Sequence, residues 1–370
     1  MTLSIPKTVA IIIPARNEAN RIAACLKALA GQHPQRVRVI LVVNNTTDTT
    51  AAIARKAGEL SGLDLRVLVR DIGPGQGAGT ARRIGCAHAV CTMPDLRYFM
   101  TTDADSIVAP DWVARNLAHL QTVGAVCGKV DLIAEEAGIL NKMDRRLATD
   151  EGTYRWLVQD VYARHAPGCA DIRGTHGEAA GASLSFTKSA YLAVGGFAPV
   201  TCGEDRRIVR AFRSAGFRVV HADDVTVQAS CRLTGRAAGG MSDALSVRIT
   251  GGNYLVDDCL PPAGWIVKQA NHGALGPWPP LVPDSRRLRV GDLPANIEIL
   301  KKFQNSGPFL AVPITSAGSL PRSRLGAVRP DKGSAAVPDG STPPASPLCK
   351  AGAAGSPQIE MPEIPARKGA

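Results

Sequence analysis

Five short polar clusters hold the residues best suited to chemistry. Thr102-Asp103-Ala104-Asp105-Ser106 follows an apolar run and brings two carboxylates near one point. Hard divalent cations take oxygen ligands of this kind and often keep phosphate oxygens in their shell. A cation held there would neutralise the diphosphate of a departing nucleotide; a turn or helix cap would use the same residues. Gly203-Glu204-Asp205 precedes a helical pattern over Arg206–Ala215. Its acids suit a helix start, and a carboxylate there would also accept the proton of an attacking hydroxyl. Gly73–Gly79 (GPGQGAG) leads into Thr80-Ala81-Arg82-Arg83 but is out of register with a dinucleotide fingerprint. A glycine-rich turn entering a helix beside arginines still suits phosphate, and a surface loop reads the same way. Pro14-Ala15-Arg16-Asn17-Glu18 and Asn44-Asn45-Thr46-Thr47-Asp48 can hydrogen-bond a base and ribose, or serve as ordinary loops.

The elements between the clusters alternate. Val9–Pro14, Val37–Val43, Leu65–Val69, Arg97–Thr101 and Ala125–Leu132 are continuous apolar, β-branched-rich runs of the kind buried in parallel sheets. Between them, Asn20–Gly31, Asp48–Gly58, Thr80–Ala89 and Trp112–Val123 carry helical spacing. This alternation predicts an open α/β sheet with helices on both faces, ligands gathering at the carboxyl ends of its strands. Residues 133–175 break the rhythm with helical spacing at Leu140, Met143, Leu147, Tyr154, Leu157, Val158 and Val161, and read as an insertion over the sheet. Strands at Ala182–Phe186, Arg218–His221 and Val225–Ala229 resume the pattern. Residues 261–313 are proline-rich and read as irregular, anchored by Trp265, Trp278 and Phe303. Residues 314–370 hold nine prolines and no aromatic, and are expected to be a disordered tail. The expected division is therefore a domain over 1–240, an extension over 241–313 packed on it, and the tail.

Composition narrows the class. The 370 residues are 45% hydrophobic but only 4% aromatic, so the core is aliphatic. The formal net charge of +11 suits an anionic ligand or an anionic membrane surface. No basic stripe is interleaved with aromatics, so nucleic acid is not an expected partner. Nine scattered cysteines without a CxxC pair argue against a disulfide framework and a structural zinc site, and fit the cytosol. The N-terminus lacks a signal-peptide pattern and the apolar runs are strand-length, so a cytoplasmic protein is expected, with any membrane contact peripheral.

The order of the clusters adds a resemblance. IIIPARNEA, VVNNTTDTT, GAGTARRIG, TTDADS, GASLSFTKSAYLAVGGF and GEDRRIVRAFRSAGF together resemble the family 2 glycosyltransferases, from about Val9 to Arg236. The resemblance implies a GT-A fold, an open and mostly parallel sheet flanked by helices, and a nucleotide-sugar donor with Mg²⁺ or Mn²⁺. It implies that Pro14, Ala15, Asn17 and Glu18 contact the nucleotide, that Asn44 faces the base, and that Arg82 is the arginine of an ARN motif. Asp103 and Asp105 correspond to the metal-binding pair, with Asp105 the direct ligand. Gly181, Ala182 and Ser183 correspond to the loop under the donor sugar, Asp205 to the catalytic base, and Glu204 to its acceptor-side neighbour. Two departures stand out. Asn44 replaces a common aspartate and leaves the base preference open, with a UDP-sugar favoured; Arg83 replaces the usual asparagine. In some relatives a histidine completes the metal shell, and His221 is the nearest candidate here. Arg232 and Arg236 are within reach of a diphosphate or an acidic acceptor, or simply cap the domain. Tyr154 and Trp156 are candidates to shape the acceptor site. The acceptor is open among a small molecule, a lipid and a glycan. Rival readings are a sugar-phosphate nucleotidyltransferase, a retaining transferase of the same fold, and a non-catalytic nucleotide-sugar-binding scaffold.

Overall fold

A computed structural model describes residues 7–32, 37–235 and 239–306. In chain order its regular elements are β1 (Val9–Ala15), α1 (Ile22–Ala30), β2 (Val37–Asn44), α2 (Thr50–Ser61), β3 (Leu65–Arg70), α3 (Ala78–Thr92), β4 (Tyr98–Thr101) and β5 (Ile107–Val108). There follow α4 (Trp112–Leu120), β6 (Ala125–Leu132), α5 (Arg145–His165), β7 (Leu184–Thr187), α6 (Lys188–Ala193), α7 (Glu204–Ser214) and β8 (Val219–Ala229). The last three are α8 (Met241–Thr250), α9 (Ala263–Asn271) and α10 (Leu293–Asn305).

The strands form one sheet in the order β3-β2-β1-β4-β7-β6-β8-β5. The first four are mutually parallel, with Val9 opposite both Val37 and Tyr98. β7 runs antiparallel to both of its neighbours, β4 and β6. β6 and β8 are parallel, and short β5 returns antiparallel along β8. Six of the eight strands thus point the same way, giving the mostly parallel sheet expected, and only β7 and short β5 are reversed; a strand's side-chain period carries no information about its direction, so these two reversals were not legible. The ends of β1, β2, β4, β6 and β8 and the start of β7 all meet on one rim.

Both faces of the sheet are covered, which is why its central strands are apolar without interruption. Ile11 and Ile13 of β1 join Leu26 and Leu29 of α1, Ala54 of α2 and Trp112 of α4 on one face. Ala10 and Ile12 join Ala81 and Cys86 of α3 and Ile208 and Phe212 of α7 on the other. There Phe186 is ringed by Tyr191, Phe197 and Phe212 at centroid distances of 5.4, 5.8 and 5.4 Å.

A separate core forms around α5. Its Tyr154, Leu157, Val158 and Val161, spaced three and four apart, bury against Ile266 of α9 and against Leu293, Ile297 and Leu300 of α10. Residues 261–306 are therefore not irregular but carry two helices. Their prolines mark beginnings: Pro262 stands just before α9, and Pro294 is in the first turn of α10, where a missing backbone N–H costs no helical hydrogen bond. Trp278 is buried and donates to Gly177 O at 2.8 Å, and Phe303 packs on this core; Trp265, the third expected anchor, is instead 37% exposed. The two short strands read at 218–229 are one, β8. The expected tail over 314–370, and Arg236, lie outside the described residues. Among the described residues no helix is long and apolar enough to cross a membrane.

Candidate functional site

The sequence places acidic residues just beyond two strand-like runs, and the fold brings these to the same rim. The chain leaving β1 turns at Asn17, which has a φ of 53°, a left-handed conformation that asparagine tolerates better than most residues. This turn is laced to the one after β2. Thr47 N donates to Asn17 Oδ1 at 2.8 Å, Asn17 N to Thr46 Oγ1 at 3.3 Å, Glu18 N to Thr50 Oγ1 at 2.8 Å, and Ala19 N to Asp48 Oδ2 at 3.1 Å. Pro14 and Ala15 at the end of β1 and Asn44 at the end of β2 therefore adjoin the paired turns that carry Asn17 and Glu18, with Glu18 and Asn44 buried.

Beside it, beyond β4, stand Asp103 and Asp105. Arg82, 3% exposed on α3, ties Asp103 to the base of α7: its Nη2 is 2.6 Å from Asp103 Oδ1 and its Nη1 contacts Glu204 Oε1. Burial works against the Arg82 charge, but Asp103 and Glu204 outweigh it and its pKa rises further. The Asp105 carboxyl is raised to about 6, first by burial and then by the Asp103 charge. Glu204 and Asp205 are the first residues of α7, not residues ahead of it. Asp205 Oδ2 accepts from Gly181 N at 3.0 Å, so the loop entering β7 is fixed to that carboxylate. A Cβ on Gly181 would run into the Arg82 guanidinium, so a larger residue there would displace that side chain from Asp103 and Glu204. Thr101 Oγ1 donates to Gly181 O at 2.6 Å, and Trp112 Nε1 to Ser183 Oγ at 3.1 Å, which holds Gly181–Ser183 against the end of β4.

Arg232, just past β8, closes the rim from the far side. Its guanidinium grips both oxygens of Glu18, at 2.6 and 2.5 Å, and stands 3.1 Å from Asp105 Oδ2. The arrangement joins Glu18, Asp103, Asp105, Glu204 and Asp205 through two guanidiniums. Among the described residues no three His, Cys, Asp or Glu side chains converge as a ready-made metal cage.

Other candidates fall elsewhere. His221 is buried below the rim, with Nδ1 2.9 Å from Asp171, which also pairs with Arg213 at 2.8 Å; it is a structural residue, not part of a shell around Asp105. Gly77 and Gly79 are not a phosphate cradle: a Cβ on Gly77 would lie 2.2 Å from Thr201 O, and one on Gly79 2.6 Å from Ala198 O. Their smallness seats the start of α3 against the chain leading into α7. Arg83 donates to Gly195 O and Phe197 O at 2.7 and 3.0 Å, bracing that same segment. Tyr154 is fully buried, whereas Trp156, 57% exposed, lines a cavity of about 210 Å³ with Asp160, Arg164 and Arg173 that shares no residue with the rim. Sequence reasoning missed Glu136, which accepts from Ser230 Oγ at 2.8 Å and Cys231 N at 3.0 Å and so anchors the turn that carries Arg232. No local pattern marks such a contact, as its partners are 94 and 95 residues away.

Residues 10–173 match the model of the glycosyl transferase family 2. No curated protein matches the chain. Among solved structures the chain is similar to the mannosyltransferase PcManGT from Pyrobaculum calidifontis in complex with GDP-Man and Mn²⁺, at 19% identity and a TM-score of 0.46, over 86% of this chain and 77% of that one. It is also similar to residues 1–349 of TarS from S. aureus with UDP-GlcNAc, at 15% identity and a TM-score of 0.44, over 80% and 72%. Against another crystal structure of S. aureus TarS, at 16% identity and a TM-score of 0.43, the match covers 60% of this chain and 36% of that one.

Proposed function

We propose that this chain, whose residues 10–173 match the model of the glycosyl transferase family 2, moves a sugar from a nucleoside-diphosphate sugar to an acceptor hydroxyl by a single inverting displacement. The observation that carries the reading is the linkage through Arg82, which holds Asp103 on one side and Glu204, neighbour of Asp205, on the other. It sets the position of a leaving group's cation relative to the position of a base.

Asp103 and Asp105 are the residues that would hold Mg²⁺ or Mn²⁺. Three features of the chain fit a hard cation there: the paired carboxylates, an Asp105 raised to about 6 by burial and by Asp103, and the buried hydroxyls of Thr102 and Ser106, which have no hydrogen-bond partner among the described residues. When bound, the metal offsets the negative charge that builds on the departing diphosphate. Asp205 takes the proton of the acceptor hydroxyl as its oxygen bonds to the anomeric carbon and the bond from that carbon to the diphosphate breaks. Glu204 faces the acceptor side. Gly181, Ala182 and Ser183 lie under the donor sugar, and Pro14, Ala15, Asn17, Glu18 and Asn44 receive the nucleotide, with UDP favoured. Residues 1–240 form the transferase domain, with 133–175 inserted on its acceptor side and 241–313 as a supporting extension. A small molecule, a lipid or a glycan fits as acceptor, any membrane contact being peripheral.

The test is nucleotide release from UDP-, GDP-, CMP- and dTDP-sugars, with Mn²⁺ or with EDTA, alongside Asp205→Ala. Metal-dependent release from one donor, lost in the variant, is the expected result. No donor turned over and none stabilising the fold in the presence of metal would remove the reading.

A further inference from the structure

We propose that Arg232 is a built-in counter-cation of the donor site, seated on Glu18 and Asp105 until a metal-bound nucleotide takes its place; the proposal rests on the reading of Asp105 as a metal ligand. Glu18, Asp103 and Asp105 come from the ends of two adjacent strands and gather on one rim, Glu18 and Asp105 largely buried and Asp103 partly exposed. Like charges so close need a cation. Arg82 engages Asp103 but faces away toward Glu204, so it leaves Glu18 and Asp105 uncompensated. Arg232 fills that role with the planar fork that guanidinium presents to a carboxylate, both nitrogens on Glu18 and one of them 3.1 Å from Asp105 Oδ2.

A divalent ion at Asp105 and the Arg232 guanidinium on that same carboxylate repel each other at short range, so metal loading drives the side chain off. The backbone that carries it stays put: Ser230 Oγ and Cys231 N are held by Glu136, which Arg21 holds in turn at 2.6 Å. The movement is therefore a swing of one long side chain about a fixed turn. The group best able to receive a displaced guanidinium is the donor diphosphate, which offers paired oxygens in place of those of Glu18. The consequence is an order of preference. Metal alone must displace Arg232 with nothing to receive it, whereas metal arriving with a nucleotide brings the replacement partner. Free metal binds poorly and the metal–nucleotide pair binds well.

Isothermal titration, or the loss of the free Mn²⁺ EPR signal, reads this without turnover. Mn²⁺ is titrated into the full chain alone, then with UDP or GDP, for wild type, Arg232→Met and Arg232→Lys. Arg232→Met is expected to tighten Mn²⁺ binding in the absence of nucleotide about tenfold and to weaken binding of the Mn²⁺–nucleotide pair by a similar factor. Arg232→Lys keeps the charge but loses the fork, so it shifts both values the same way by a smaller factor, and it decides the matter if the methionine variant does not fold. Unchanged or weaker binding of Mn²⁺ alone in the variants overturns the proposal. Tighter binding of both Mn²⁺ and the Mn²⁺–nucleotide pair overturns the transfer of Arg232 to the diphosphate. If wild type takes up no Mn²⁺ even with nucleotide, the metal-site reading falls, and this proposal with it.

Discussion

The molecule contains two arginine–carboxylate networks that differ in size and in balance. At the sheet rim, Glu18, Asp103, Asp105, Glu204 and Asp205 share Arg82 and Arg232. Between α5 and the residues that follow α8, Glu151 and Asp257 share Arg155 and Arg248: Arg248 pairs with both acids, and Arg155 is 3.6 Å from Glu151 and 2.5 Å from Asp257. The second network is neutral and fully paired, and it fastens α5 to α8 and to the chain that follows it. The first keeps an excess of negative charge in a largely buried setting, an expense that stability alone does not explain. A structural network closes its charge; on the reading proposed above, the rim network leaves it open for a cation.

The largest effect that tests this contrast is on chemistry. Asp205→Asn should lower donor turnover by about 10²–10⁴-fold, as expected for loss of a general base, while the melting temperature holds. A variant with near-normal turnover would move the base elsewhere. Next comes Arg82→Met, which leaves Glu204 buried and Asp103 unpaired and should cost roughly 3–5 kcal/mol of unfolding free energy in denaturant titrations. Third, Mn²⁺ with UDP or GDP at about a hundred times the dissociation constant should stabilise wild type by ~2.7 kcal/mol. Asp105→Asn should lose that increment and Asp257→Asn should keep it in full; if both lose it, the two networks are not separable.

The smallest effect belongs to the closed network. Burial alone would raise the Asp257 carboxyl, but Arg155 and then Arg248 hold it well below the usual carboxylate range. A depressed folded-state pKa gives stability that is complete above the unfolded value of about 4 and is lost as the pH falls through the folded one. Asp257→Asn should therefore cost about 1–3 kcal/mol near neutrality. Its disadvantage should shrink below about pH 4, as the Asp257 carboxylate protonates in the unfolded chain while the folded one stays charged. Urea midpoints measured across that range check the sign, and a constant difference would mean that the pair does not titrate with folding.

Much of the candidate site was legible because its signals are local. Val9–Ala15 and Val37–Asn44 are apolar on both faces, and Asp103, Asp105, Glu204 and Asp205 stand beside strand or helix boundaries that periodicity reveals. What was not legible is relational. Arg232 and Glu18 are 214 residues apart, and nothing near either one names the other. The glycines of GPGQGAG announce close approach, but not whether it is to a phosphate or, as found, to Thr201 and Ala198. Prolines suggested irregular chain over 261–313, because the same residue that breaks a helix also begins one.

The reversed strand has a further consequence. β6 ends at the rim at Leu132, and the chain re-enters there at Gly181, already fastened to Asp205 before β7 begins. Ile133 N is likewise tied to Ala229 O at 2.9 Å as it departs. The entire excursion from 133 to 180 therefore leaves and returns through two pinned gateposts on one edge. A lineage could lengthen, shorten or exchange that segment without shifting the register of any strand, which on the proposed reading would change the acceptor and leave the donor site intact.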